Sequence, residues 1–234
     1  MGVLYLVRHG KAAELREGAY DSLSATGWKQ AAAIGQYWRA REQTFDHVFV
    51  GPRQRHQETL DGTFAAMGRT HHDVQKIDDL DEHAGLMVVK NTPSSWLETR
   101  PEAKEIAKRI ASGESNRDDL LAAFRVVVRA WVDGELCPSD VENWSAFRER
   151  ASRGLRTMVL SCAGRGTSVA FTSAGTIAAA VGGLLGANDR AVLDLSWRLY
   201  NASVTEVVIG RDGVSMRTFN ETAHLMDDEL RTQV

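Results

Sequence analysis

Leu4-Tyr5-Leu6-Val7-Arg8-His9-Gly10 is the stretch from which the fold of this chain can be worked out. Together with Val3, its first residues form an uninterrupted apolar run, which is typical of a strand buried on both faces of a sheet. The run then changes to a cation, an imidazole and a glycine. Open α/β sheets bind their ligands at the carboxyl ends of the strands. We therefore expect the strand to deliver two functional side chains to that edge.

The three residues that end this strand have complementary chemistry. Arg8 carries a rigid fork of donors that matches a phosphate or a carboxylate. His9 titrates near neutrality and can act as a nucleophile, a base or a ligand. Gly10 allows a sharp turn or the close approach of a ligand. The tripeptide alone leaves a second interpretation open, in which a strand merely happens to end in two polar residues.

The composition sets limits on the class of protein. The chain has 234 residues, of which 43% are hydrophobic and 25% charged, as in an ordinary globular protein. The net charge of −3 argues against a dedicated nucleic-acid binder. Two cysteines, Cys137 and Cys162, are too few for a disulfide framework. With no signal-peptide pattern and no apolar run of membrane length, we expect a cytoplasmic protein without a membrane partner.

An alternation of strand and helix patterns dominates both ends of the chain. Ser24 is a candidate N-cap for a helix that extends to about Arg41, and a second helix is predicted over 53–67 with Pro52 in its first turn. Further strands are predicted at 45–50, 74–80, 168–172, 204–209 and 214–219, the last two joined as a hairpin. This order predicts an α/β fold with a doubly wound, mostly parallel mixed sheet, helices on both faces and an antiparallel edge.

The middle of the chain interrupts this alternation. The apolar spacing predicts helices at 101–112, 117–133 and 144–162. No linker-like segment rich in Pro, Gly or Ser separates this part from the rest. We therefore interpret residues 84–166 as a helical insertion over the sheet edge, within a single domain that comprises residues 1–234.

Polar clusters follow the predicted strands. Arg53 and Arg55 come after the second, Asp81-Glu82-His83 after the third, and Ser173-Ala174-Gly175 after the fourth. Parallel strands end at the same edge of a sheet, so these clusters should converge with Arg8 and His9. Arginines, a histidine, a carboxylate and a helix N-terminus together make a phosphate site with acid–base capacity.

The sequence resembles the histidine phosphatase superfamily, also called phosphoglycerate mutase-like, in four stretches spread along most of the chain. They are Leu6-Val7-Arg8-His9-Gly10, Leu23-Ser24-Ala25-Thr26-Gly27-Trp28-Lys29-Gln30-Ala31, Gly51-Pro52-Arg53-Gln54-Arg55-His56-Gln57-Glu58-Thr59 and Asn201-Ala202-Ser203-Val204-Thr205. The first and third together are specific.

The resemblance implies roles for individual residues. His9 would become phosphohistidine, Arg8 and Arg55 would hold the phosphoryl group, and Glu82 would be the general acid and then the base. Asp81 and His83 compete with Glu82 for that last role. Three further residues are expected at the phosphate: Gly10, Ser173 and Ala174.

The chain departs from the family pattern at three positions. Ser173 occupies the place of a second histidine that usually contacts the phosphate, and its hydroxyl can donate to the phosphate or cap the following helix. This replacement predicts a slower or differently tuned enzyme, in which Ser173→His raises the activity. Gly51 replaces a usual serine, and Glu58 a usual glutamine. The extra carboxylate should face away from the phosphate or pair with Arg53 or Lys11.

These inferences favour a metal-independent phosphatase that hydrolyses phosphomonoesters through phosphohistidine, with a small phosphorylated substrate, no metal and no cofactor. Phosphoglycerate mutase-type transfer is less favoured because residues 84–96 contain a single cation, Lys90. A catalytically weak phospho-ligand binder is the third possibility. Among other candidates, His56 is predicted on a helix surface, His71-His72 in a solvated loop and His224 in a structural role. The oligomeric state cannot be read from the sequence.

Overall fold

The computed structural model describes residues 1–13, 21–70, 73–162 and 165–233. The predicted loop at His71-His72 lies outside these residues. The contacts divide the chain into two compact units. The first contains Met1–Glu82 and Arg148–Val234, and the second contains His83–Phe147.

A six-stranded sheet forms the first unit. Its strands are β1 (Gly2–Arg8), β2 (His47–Val50), β3 (Val74–Lys76), β4 (Gly166–Thr172), β5 (Val204–Gly210) and β6 (Gly213–Glu221), in the spatial order β3-β2-β4-β1-β5-β6. The strands β3, β2, β4 and β1 are parallel, and β5 and β6 complete the sheet as an antiparallel hairpin. The predicted α/β class and mixed, mostly parallel sheet are confirmed.

The register between β1 and β4 determines where the motif after β1 lies. The two strands pair in parallel from Gly2 opposite Gly166 to Arg8 opposite Thr172. The side chains of Leu4, Leu6 and Val7 are almost completely buried and those of Val3 and Tyr5 are partly buried, so both faces of the strand are covered, which explains the continuous apolar run. Because β1 and β4 end at the same level, the residues that follow them lie side by side.

The helices of the first unit include α1 (Ala25–Arg39) and α2 (Gln54–Met67). Ser24 caps α1 as predicted, since its hydroxyl accepts a hydrogen bond from the amide of Gly27 at 3.1 Å. The prediction for Pro52 is wrong, because α2 has Arg53 as its extended N-cap and begins one residue later. The predicted third strand is also shorter: β3 ends at Lys76, and a 3₁₀ turn (Asp78–Leu80) follows.

The second unit is helical. It holds α3 (Gly85–Asn91), α4 (Ser94–Glu98), α5 (Lys104–Ser112), α6 (Arg117–Val132) and the start of α7 (Trp144–Ser161). The sequence pattern predicted the last three but not the two short ones. The rings of His83, Trp131, Trp144 and Phe147 pack together here, with centroids 5.3–6.2 Å apart. From Arg148 onward, α7 belongs to the first unit.

Two further helices follow β4 in the first unit, α8 (Ala174–Leu184) and α9 (Asp189–Arg198). The first turn of α8 begins directly after the end of β4, beside the end of β1. Over the described ranges, no helix is both long enough and apolar enough to span a membrane.

Candidate active site

His9 lies immediately after β1, and its backbone is held on two sides. Its amide donates to the carbonyl of Thr172 at 2.9 Å, and its carbonyl accepts from the amide of Ala202 at 3.1 Å. Its Nδ1 lies 2.7 Å from the carbonyl oxygen of Gly10. Because a carbonyl can only accept, Nδ1 carries the proton and the lone pair of the neutral ring lies on Nε2. The sequence-predicted nucleophile is therefore present in the tautomer that a nucleophile needs.

The environment of His9 also keeps it neutral. Burial lowers the pKa of His9 well below its ordinary value, and the positive charges of Arg55 and Arg8 lower it further. The carbonyl of Gly10 opposes this effect. At neutral pH the ring is thus uncharged, which is the state that can attack phosphorus.

Arg8 and Arg55 are both almost fully buried. One terminal nitrogen of Arg8 donates to the carbonyl of Leu199, and the carboxamide of Asn201, oriented with its oxygen inward, accepts from the other at 3.2 Å. Arg55 pairs with Asp21 at 3.3 Å. Both arginines place positive charge near the imidazole of His9, and this pair of guanidinium groups has the chemistry to bind a dianion.

Gly10 connects the end of β1 to α2. Its amide donates to the hydroxyl of Thr59 at 3.0 Å, and that hydroxyl donates to the carbonyl of Arg55 at 2.7 Å. A Cβ at this position would lie 2.6 Å from the carbonyl oxygen of Gly27, so only glycine fits. Since its amide is paired with Thr59, Gly10 contributes close packing here, and its contact with phosphate stays a prediction.

The three candidates for the acid separate clearly. Asp81 forms a salt bridge with Arg53 at 2.5 Å and also accepts from the amide of Glu82. The carboxylate of Glu82 accepts a hydrogen bond from the amide of Gly175, in the first turn of α8, at 3.4 Å. The ring of His83 belongs to the aromatic cluster of the second unit. Of the three, Glu82 is the carboxylate that the structure places at the helix N-terminus after β4.

The segment that carries Glu82 is fixed by residues that the sequence did not single out. The hydroxyls of Thr172 and Thr176 donate to the carbonyls of Leu80 and Asp81, each at 2.6 Å. The guanidinium of Arg150 donates to the carbonyls of Asp81 and Glu82 at 3.0 and 3.3 Å. These partners are remote in sequence and have no local motif, so no pattern in the chain identified them.

Ser173 lies between β4 and α8, and its position changes the expected role. Its backbone is extended at the N-cap position of α8, but its side chain makes no capping hydrogen bond, so the capping interpretation is wrong. The residue is fully buried, and its hydroxyl lies 2.7 Å from Nε2 of His56. The neighbouring Ala174 is also buried and begins α8.

His56 is the residue that the sequence interpretation misplaced. It was predicted on a helix surface, but it is completely buried in the first turns of α2. Its ring centroid lies 5.7 Å from that of His9. Burial lowers the pKa of His56 well below its ordinary value, helped by Arg55 and Arg53 and opposed by the backbone of Gly51. The prediction failed because the start of α2 faces the strand ends and not the solvent.

Two other predictions concern residues near the site. The carboxylate of Glu58 accepts from the amide of Leu23 at 2.5 Å and from the side chain of Gln54 at 2.7 Å, so it holds the loop before α1. His224 donates from Nε2 to the carbonyl of Ala202 at 2.8 Å, and burial lowers its pKa to about 4. That contact supports the structural role predicted for His224.

Within the described ranges, no group of three or more His, Cys, Asp or Glu side chains is arranged to hold a metal ion.

The geometry can now be compared with known proteins. A model of the histidine phosphatase superfamily (branch 1) matches residues 4–118 and 114–222. The chain belongs to this superfamily. Among curated proteins, none matches the chain in sequence.

Solved histidine phosphatase and mutase structures share the fold at low identity. A phosphoglycerate mutase from Bacillus anthracis superposes with a TM-score of 0.64 at 15% identity, over 95% of this chain and 94% of its own. A putative α-ribazole-5′-P phosphatase from Escherichia coli gives 0.63 at 18% identity, over 94% and 96%. A phosphoserine phosphatase mutant from Entamoeba histolytica, in complex with phosphoserine, gives 0.61 at 19%, over 97% and 100%. At these identities the likeness shows the fold, not the substrate.

Proposed function

We propose that this chain is a metal-independent phosphomonoesterase that works through a phosphohistidine at His9. The observation that carries the proposal is the state of His9. Its Nδ1 is tied to the carbonyl of Gly10, its ring is held neutral by burial and by two arginines, and Nε2 keeps its lone pair. The structural neighbours support phosphoryl chemistry in general, since they include a phosphoserine phosphatase, a putative α-ribazole-5′-P phosphatase and a phosphoglycerate mutase.

The first half-reaction transfers the phosphoryl group to the enzyme. Nε2 of His9 attacks phosphorus in line, so that an N–P bond forms while the ester P–O bond breaks. Arg8 and Arg55 hold the phosphoryl oxygens and balance their charge. Glu82, in its protonated form, gives its proton to the leaving oxygen.

The second half-reaction releases phosphate. The carboxylate of Glu82 takes a proton from water as the water oxygen attacks phosphorus. The N–P bond of phosphohistidine breaks, and the electron pair returns to Nε2 of His9. Glu82 ends protonated, ready for the next substrate.

Phosphoglycerate mutase-type transfer is the main alternative. A mutase must hold a small, highly charged sugar acid, for which a dense cluster of cations is needed. Between residues 84 and 96 the only cation is Lys90, which favours hydrolysis. Transfer of phosphoryl to a glycerate acceptor faster than to water would reverse this order.

The experiment that tests the proposal is hydrolysis of an aryl phosphate by the wild type and by His9→Ala, with and without EDTA. We expect turnover that survives EDTA and is lost with the histidine. Wild-type protein that binds inorganic phosphate but does not turn over the ester would instead indicate a phospho-ligand binder.

The assignment of the acid has its own test. Glu82→Gln should lower kcat by about 10²–10⁴-fold, because the leaving oxygen then receives no proton. Asp81→Asn is the matched control, since that carboxylate is engaged by Arg53 and should affect kcat much less. The expectation is best checked with two esters whose leaving groups differ in pKa, because loss of the acid harms the poorer leaving group more. Equal losses for the two variants would contradict the assignment.

A further inference from the structure

The fully buried hydrogen bond between His56 and Ser173 has no place in the two half-reactions above. It joins α2 to the turn between β4 and α8. The ring centroid of His56 lies 5.7 Å from that of His9, the proposed nucleophile. A buried polar pair is costly to form unless both partners are satisfied. The question is therefore which parts of the site the pair holds in position.

The hydrogen bond of the pair forms with either tautomer of His56. Burial lowers the pKa of His56 well below its ordinary value, so the ring is neutral at physiological pH and has one N–H. Its Nδ1 faces the backbone of Gly51, and its Nε2 lies 2.7 Å from the Ser173 hydroxyl. Because a serine hydroxyl can donate or accept, it pairs with Nε2 whether or not that nitrogen carries the proton, and the hydrogen bond fixes the Ser173 side chain.

The turn that Ser173 occupies holds both reacting groups. The backbone carbonyl of the preceding residue, Thr172, accepts a hydrogen bond from the amide of His9 at 2.9 Å. Two residues after it, the amide of Gly175 donates to the carboxylate of Glu82 at 3.4 Å. A shift of this turn would move the nucleophile and the acid relative to each other.

Gly51, directly after β2, leaves space for the imidazole of His56. A Cβ at Gly51 would lie 2.4 Å from Nδ1 of His56 and 2.8 Å from the carbonyl oxygen of Leu80. Gly51 and Ser173 are two positions at which this chain departs from the usual family pattern, and both adjoin His56. The two departures are thus connected through one side chain.

We propose that His56 is a positioning residue: its hydrogen bond to Ser173 locks the β4–α8 turn, which aligns His9 with Glu82. The inference rests on the proposed function, because alignment matters only if these two groups react. It assigns to Ser173 a buried anchoring role, whereas the resemblance had implied a direct phosphate contact.

Two variants of similar size test the role. His56→Gln keeps a side chain that can donate to or accept from the Ser173 hydroxyl, and His56→Leu removes it. With an aryl phosphate, we expect His56→Leu to lower kcat by about 10-fold or more, with less than about a threefold change in KM, and His56→Gln to retain most of kcat. Gln57→Ala, on the same helix but paired with Asp61, is the control and should leave both constants unchanged. Equal kcat for the Gln and Leu variants would overturn the proposal.

Ser173→Ala distinguishes anchoring from phosphate contact. If Ser173 anchors the turn, the variant lowers kcat but leaves the Kd of inorganic phosphate within about threefold. A Kd raised tenfold or more would show that the hydroxyl binds phosphate and would overturn the proposal. The double variant His56→Leu/Ser173→Ala should be no slower than the worse single variant, because the two residues act as one unit. If the loss of kcat in the double variant equals the product of the two single losses, the residues act independently, which would contradict the proposal.

Hydrogen exchange gives a readout that does not depend on turnover. Amides in the segment 173–178 should exchange about 10-fold faster in His56→Leu than in the wild type, and at the wild-type rate in His56→Gln. If wild-type protein has no activity, the proposed function fails, and this measurement still decides whether His56 holds the turn. Unchanged exchange in His56→Leu would overturn the positioning role.

Discussion

The end of β1 and the start of α2 each bury a histidine, and the two rings lie 5.7 Å apart. Burial and nearby arginines lower the pKa of both histidines. They differ in which nitrogen is occupied. His9 is held through Nδ1 by its neighbour in sequence, whereas His56 is held through Nε2 by Ser173, 117 residues away. The hydrogen-bond partner, and not burial or charge, thus distinguishes the proposed nucleophile from the proposed positioning residue.

Labelling provides the largest expected contrast between the two histidines. His9→Ala should lower kcat by at least about 10³-fold, because it removes the atom that bonds to phosphorus. The His56 variants should lose far less. With a ³²P-labelled substrate, peptide mapping after a rapid quench should find the label on the peptide that contains His9. Label on the peptide that contains His56 would reverse the two assignments.

Ser173→His tests the hydrogen-bond partner of His56. Because the Ser173 hydroxyl contacts His56, we expect this variant to lower the activity, whereas the resemblance predicted that it raises the activity. Because the serine hydroxyl lies 2.7 Å from Nε2 of His56, an imidazole that points in the same direction from position 173 would clash with the His56 ring. We expect Ser173→His to lower kcat/KM by about 10²-fold, and Ser173→His/His56→Ala to recover part of the loss because the clash is gone. An active single variant would mean that the two rings can share the space.

Low pH should destabilise the fold, because burial lowers the pKa of both histidines and also that of His224. In the folded chain the pKa values of His9, His56 and His224 are all lower than the value near 6.5 of an exposed histidine. Below about pH 6.5 the unfolded chain therefore binds more protons, and the free energy of unfolding falls as the pH drops toward 4. For His224, whose pKa is lowered to about 4, the loss amounts to ~3 kcal/mol.

Urea unfolding between pH 7.5 and 4.5 measures this effect. His224→Gln should show a shallower decline than the wild type, because the variant has no imidazole to protonate on unfolding. His47→Gln, at a half-buried position on β2, is the control and should follow the wild-type curve. Identical slopes for the wild type and His224→Gln would contradict the assignment of a neutral, buried His224.

Thr59 joins the end of β1 to the start of α2. Its substitution gives the smallest effect expected among these variants. Thr59→Val keeps the shape but leaves the buried amide of Gly10 without its acceptor, so the free energy of unfolding should fall by about 1–3 kcal/mol. Thr63→Val, one turn further along α2, is a useful comparison because its hydroxyl donates to the carbonyl of Ala31 and its loss leaves no buried donor unpaired. A larger loss for Thr63→Val would contradict this account of the connection.

The parts of the site that follow a strand in sequence were predictable. Arg8 and His9 follow a continuous apolar run, and the level ends of parallel strands bring them to the residues after β4. Asp81 and Glu82 were both identified, but the choice between them depends on the salt bridge of Asp81 with Arg53, which joins residues 28 positions apart. The pattern locates the segment, and the contact is the reason for proposing Glu82 within it.

The residues that the sequence misplaced or did not single out share one property. His56, Thr172 and Arg150 act through partners far away in the chain, and none stands in a local pattern that reveals the partner. His56 was assigned to a helix surface because helical periodicity describes a helix by itself. The rotation of α2 toward the sheet edge depends on packing that periodicity does not contain.

By itself, the sequence determined the order of the strands, the superfamily and a candidate nucleophile, because buried strands and short motifs are encoded by neighbouring residues. Only the tertiary structure decided which nitrogen of each histidine is occupied, which carboxylate is paired with arginine, and that Ser173 is buried. Those properties depend on hydrogen bonds between distant segments, whose distances are set by the register of β1 with β4 and by the packing of α2.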